Sequence, residues 1–157
     1  MKYSVGEKVI HRRYGVSVIF DVTTLNERQY YIVRVLDGDG ENIYVPVEGE
    51  NSVVRPIMTV KEADSLLSSL KDIKKEFNPN TKQRRDAYKK RLSSGQVSDI
   101  AYLFRQNYLY EMDPTNVKLG PSDVDMLNFA TKMLTKELML TYQIEEKDIK
   151  EFLLSKI

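Results

Sequence analysis

The spacing of apolar residues changes partway along this chain. Up to about residue 57 they recur at every second position, and beyond it at every third or fourth. In the first part, residues 8–11, 16–22, 29–36 and 42–47 are rich in Val, Ile and Tyr and read as strands. Turn chemistry separates them: a Tyr14-Gly15 corner, an Asn26-Glu27-Arg28 tip and Asp37-Gly38-Asp39-Gly40. The Asp-Gly pairs suit the positive φ of tight hairpins. Strands at this spacing predict a small β-barrel. Tyr31, Val33 and Val35 alternate with Tyr30, Ile32 and Arg34, so one face fills the barrel and Tyr30 or Tyr31 stays partly exposed. Pro46 belongs at a strand end or edge, because it cannot donate to a ladder. A short edge strand there would also offer unpaired backbone to a partner strand. Residues 53–56 read as one last strand, stopped by Pro56.

Helical periodicity then runs to the end. Thr59 with Glu62 three residues on forms a capping box for a first helix over 60–74, whose stripe is Ala63, Leu66, Leu67, Leu70 and Ile73. Asn78-Pro79-Asn80 is a break, and Thr81 is the expected cap of a second helix over 82–92. With only Ala87, Tyr88 and Leu92 as apolar content, that helix belongs on the surface, with Arg84, Arg85, Lys89 and Lys90 facing outward. A third helix over 97–111 carries Ile100, Leu103, Phe104 and Tyr108 into the core. Residues 113–120 read as a loop. Ser122 caps a fourth helix over 123–142, which is apolar nearly all round and reads as the buried hub; 145–157 form a short last helix. The fold class is therefore α+β, β then α. A small barrel over residues 1–57 is followed by an all-helical domain of about five helices over 58–157.

Charge changes this picture at one place. Residues 71–92 hold nine Lys or Arg against three acids, a net +6, in a chain of formal net charge +1. The other 135 residues thus sum to −5. Such a local concentration suits a phosphate backbone, and the plain alternative is a solvated helix face. Composition excludes more than it adds. No apolar run approaches the roughly 20 residues of a membrane span, and the N-terminus has no signal-peptide pattern. With no cysteine and one histidine, disulfides, thiolate metal sites and cysteine nucleophiles are all absent, so no metal or cofactor is expected. The chain has neither GxGxxG nor the Walker pattern. DGDGE (37–41) is a hairpin turn rather than a calcium loop, His11 a structural or surface residue, and Tyr102, Tyr108 and Tyr110 packing residues before stacking platforms. An enzyme is not expected.

Four stretches, in order, resemble the CarD/CdnL family of bacterial transcription regulators over nearly the whole chain: VGEKVIHRRYGVSVI (5–19), YVPVEGENSVVRPI (44–57), RRDAYKKRLSSGQVSDIAYLFRQNYL (84–109) and LGPSDVDMLNFATKMLTKELML (119–140). The resemblance implies a Tudor-like first domain that binds the RNA polymerase β subunit, related to one in transcription–repair coupling factors. It implies a helical domain at the upstream edge of the transcription bubble, contacting DNA backbone without reading sequence and favouring the open promoter complex. Family members commonly insert a Trp at the minor groove. This chain has none, and the corresponding position is Thr81 or Lys82.

The expectation is a cytoplasmic, nucleoid-associated bacterial regulator, monomeric, with no membrane contact. Its phosphate contacts would be Lys82, Arg84, Arg85, Lys89 and Lys90, with Thr81 beside them. Its polymerase edge would be Ile43, Tyr44 and Val45, with the tip Leu25 and Arg28. The rivals are an adaptor that binds polymerase but no longer engages DNA, and an RNA- or ribosome-associated module.

Overall fold

The computed structural model describes residues 1–113 and 118–157, so the expected loop 113–120 lies partly outside the described residues. These residues form two compact units, Met1–Ile57 and Met58–Ile157.

The first unit is one antiparallel sheet of β1 (Lys8–His11), β2 (Gly15–Leu25), β3 (Arg28–Val35), β4 (Ile43–Pro46) and β5 (Val54–Arg55), in the order β4-β3-β2-β1-β5. The α+β class holds, but the expected barrel does not close. β5 is two residues long and pairs with β1, β4 is four and pairs with β3, and these short strands remain the sheet's two edges. Alternation builds the core: Val9, Ile19, Tyr31, Val33, Val45 and Val54 are fully buried on one face. Tyr31 is thus the inward tyrosine, and Tyr30 stands half-buried on the other side. Register shifts between Ile19 and Asp21, which leaves Phe20 as the extra residue of a bulge. It is exposed, with the Arg34 guanidinium 3.4 Å from its ring centroid. The β2–β3 hairpin closes through Asn26 and Glu27 at φ 51° and 66°, the left-handed pair a two-residue turn requires.

His11 carries a pH dependence for this unit. It is buried, stacked on Tyr14 at 4.7 Å, and its Nδ1 accepts the Arg13 N–H at 3.1 Å. Burial, and then the Arg13 charge, push its pKa below the ordinary 6.5. The folded sheet therefore favours neutral imidazole. The stability this contributes is present above pH 6.5 and lost as pH falls through the folded pKa. The melting temperature of the sheet's transition is expected to drop between pH 7.5 and 5.5, and His11→Gln to flatten that drop; equal pH dependence in both proteins would refute it.

The second unit contains α1 (Val60–Leu70), α2 (Thr81–Ser93), α3 (Val97–Met112), α4 (Pro121–Tyr142) and α5 (Glu146–Lys156). The Thr59–Glu62 capping box starts α1 as expected, with Thr59 Oγ1 accepting from Glu62 N at 3.1 Å and Glu62 Oε1 from Thr59 N at 3.0 Å. Asn80, not Thr81, caps α2: its Oδ1 accepts the Gln83 N–H at 2.9 Å, and Thr81 is the first helical residue. Gly120, not Ser122, precedes α4, with Pro121 at its first position. The core joins Leu67, Leu70, Ile100, Leu103, Phe104, Leu127, Leu134 and Leu138. Helix α4 is the hub, packing against α1, α2, α3 and α5, but it is not buried all round. Helix α3 buries Arg105, Gln106 and Asn107 along with its apolar residues, whereas α4 leaves Val124 and Phe129 exposed. A helix apolar by composition still turns one side to water when its neighbours cover only the other.

Candidate nucleic-acid and partner surfaces

Residues 71–80, which join α1 to the basic helix, are irregular in backbone yet tied down by α3. Gln106, fully buried, accepts the Glu76 N–H at 2.9 Å and donates to the Lys74 carbonyl at 2.8 Å. Arg105 donates to the carbonyls of Ile73 and Lys71, and the Tyr110 hydroxyl to that of Glu76. These polar groups explain why α3 carries buried Arg and Gln: they satisfy backbone that a helix or strand would otherwise pair.

Among the described residues, three of the nine cations in 71–92 are held in ion pairs. Lys75 meets Asp113 at 3.2 Å, Arg91 meets Asp99 at 2.8 Å, and Arg84 meets Asp123 at 2.8 Å. The last corrects an expectation. Arg84 does not face outward: it is 5% exposed and Asp123 is 0% exposed. Arg84 Nε and Nη2 donate to Asp123 Oδ2 at 3.1 and 2.8 Å, Nη1 donates to the Asn78 carbonyl at 2.9 Å, and the Gly120 N–H donates to the same carboxylate oxygen at 3.0 Å. The hydrogen bond that Arg84 donates to Asp123 is the main cause that raises the Arg84 pKa, so the charge is fixed. Arg84 thus locks α2 and its N-terminal approach to the start of α4, and is withdrawn from the surface cations. The reason is position: Arg84 lies four residues before Tyr88, on the helix face that also carries Leu92, and Tyr88 is buried.

The others go outward. Lys71, Lys74, Lys82, Lys89 and Lys90 are exposed and Arg85 is half-buried, and among the described residues none of the six is in an ion pair. Lys82 and Lys89 are seven apart and share a face of α2, with Lys90 beside them; Thr81 is exposed at the helix start. A row of unneutralised ammonium groups on a rigid helix is an electrostatic footprint for phosphates. Lys71 and Lys74 were legible as charge but not as presented charge, since their orientation depends on the α3 clamp.

On the first unit the residues expected at a partner edge separate by face. Leu25, Arg28 and Tyr44 are exposed, Ile43 is half-buried, and Val45 is fully buried, so Val45 can offer only its backbone. β4 pairs with β3 alone, through Tyr31↔Val45 and Val33↔Ile43, and its other edge is unpaired in the sheet. Tyr44 packs edge-on against Tyr30 at 6.5 Å, and Arg28 lies 5.7 Å from the Tyr30 ring. Phe20 and Arg34 share this aromatic and cationic outer face, Phe20 following inward Ile19 in the alternation. Among the described residues no cluster of His, Asp and Glu could hold a metal ion, and no helix is long and apolar enough to cross a membrane.

Comparison with known families gives two matches. The CarD C-terminal domain matches residues 65–154, and the CarD-like/TRCF RID domain matches residues 3–58. No curated protein matches the chain.

Proposed function

We propose that this chain, which belongs to the CarD family, bridges the polymerase β subunit and promoter DNA and so modulates open-complex stability. At the coarser level it is an RNA polymerase-interacting transcription regulator. The observation that carries the finer reading is the division of surfaces. The sheet unit has an unpaired strand edge beside exposed Tyr44, and the helical unit has exposed, unneutralised lysines on α2. The polymerase would pair with β4 around Ile43, Tyr44 and Val45, with Leu25 and Arg28 at the hairpin tip. DNA phosphates would meet Lys82, Arg85, Lys89 and Lys90, near Thr81, with Lys71 and Lys74 extending the track. The protein would act without catalysis, as a monomer in the bacterial cytoplasm at the nucleoid.

Tyr44→Glu tests the polymerase half. The side chain is 49% exposed, so the fold should tolerate the change, while an added charge at a strand-pairing edge disfavours docking. Binding to purified polymerase, and to an isolated β fragment, is expected to weaken at least tenfold with melting unchanged; unaltered affinity would sink the edge assignment. The absence of any Trp and the exposed Thr81 at the start of α2 favour one second reading, an adaptor on polymerase that does not touch DNA. Footprinting on a forked promoter with and without polymerase separates the two.

A further inference from the structure

The linker before α2, α2 itself and the start of α3 enclose a cleft of about 490 Å³. Its walls are aromatic and cationic: Phe77 from the linker, Tyr88 and Arg91 from α2, and Tyr102 from α3, with Glu76 as its one carboxylate. Phe77 is 37% exposed, although the residues just before it are bound to α3. The Arg91 guanidinium lies 3.6 Å from the Tyr102 ring centroid and is fixed by Asp99. Glu76 Oε1 accepts the Tyr102 hydroxyl at 2.8 Å, which leaves acceptor capacity on the carboxylate.

This chemistry selects a flat ring with apolar faces and N–H donors on its edge. The size lies in the range of small-ligand clefts. Aromatic walls stack any base, and a carboxylate accepts from an exocyclic amine such as that of cytosine. The position matters as well. Ala87 lines the cleft and Lys90, three residues on, is an exposed cation of the same helix, so a strand whose phosphates meet Lys90 passes the cleft's wall.

We infer that this cleft receives one unpaired nucleobase, so that the helical unit prefers forked or single-stranded DNA to closed duplex. This rests on the reading that α2 follows a DNA backbone. Base stacking on an aromatic side chain accounts for roughly 5- to 140-fold in affinity per base.

The test is anisotropy of the full chain at low salt with three labelled DNAs: a blunt duplex, the same duplex with a two-nucleotide unpaired flap, and that fork made abasic in the flap. The fork is expected to bind at least fivefold tighter than the duplex, and the abasic fork to bind like the duplex. Phe77→Ala should remove the fork's advantage and leave duplex affinity unchanged, while Phe77→Trp, which keeps a ring, retains it. Lys89→Glu with Lys90→Glu should weaken all three DNAs together. A fork advantage that is absent, or that survives the abasic flap or Phe77→Ala, overturns the cleft. If the lysine reversals change nothing while the advantage persists, the backbone reading fails and the cleft stands.

Discussion

Arg84→Ala is expected to destabilise the helical unit by about 3–5 kcal/mol, because it leaves the Asp123 carboxylate buried without its counter-charge. For a unit of this size that lowers its melting transition by roughly 12 °C or more. Arg84→Lys should rescue little. One ammonium cannot reproduce two bonds to Asp123 Oδ2 and a third to the Asn78 carbonyl from the same geometry. The double variant Arg84→Met with Asp123→Leu should cost less than Arg84→Ala alone, since no charge is then left buried. Urea unfolding followed by far-ultraviolet circular dichroism reads all three. A loss under 1 kcal/mol for Arg84→Ala would mean that the pair does not hold α2 to α4. The consequence for function is specific: DNA binding by Arg84 variants should fail with the fold, not through a missing phosphate contact.

Replacing Lys82, Lys89 and Lys90 together with Gln should do the opposite. All three are exposed and outside any ion pair among the described residues, so stability should stay within about 0.5 kcal/mol per site. Each phosphate contact on duplex DNA contributes about 0.9 to the slope of log K against log salt, so the triple variant should flatten that slope by roughly 2.7. The affinity loss should be the same for unrelated duplex sequences, because phosphate contacts carry no base information. A salt titration at constant pH measures it. An unchanged slope would remove α2 from the DNA surface.

These two outcomes divide a stretch that reads as uniform in sequence. Its charge density was plain from residues 71–92 alone, and so was the surface position of a helix with so little apolar content. Which cations remain available was not, because two of the three neutralising acids are distant in sequence: Asp113 for Lys75 and Asp123 for Arg84, the latter 39 residues away. A local signal for Arg84 did exist, in its spacing of four from Tyr88 and eight from Leu92, against a charge that by itself favours exposure. The cleft beside α2 had no sequence signature, since Phe77, Arg91 and Tyr102 come from three separate elements.

The change of period from two to 3.6 determined an α+β chain, because each period buries one face of one kind of element. The Thr59–Glu62 box determined where α1 begins, because both of its bonds lie within four residues. Closure of the sheet was decided only in three dimensions: β5 is two residues long and pairs with β1 alone, leaving β4 an edge. The burial of polar residues along α3 was also tertiary. It depended on the 71–76 backbone, whose unpaired groups needed Arg105, Gln106 and Tyr110 to meet them. Periodicity reports which residues share a face; the partner that face meets depends on chain far away, and here that partner decides which arginine is structural and which lysines are free to meet a phosphate.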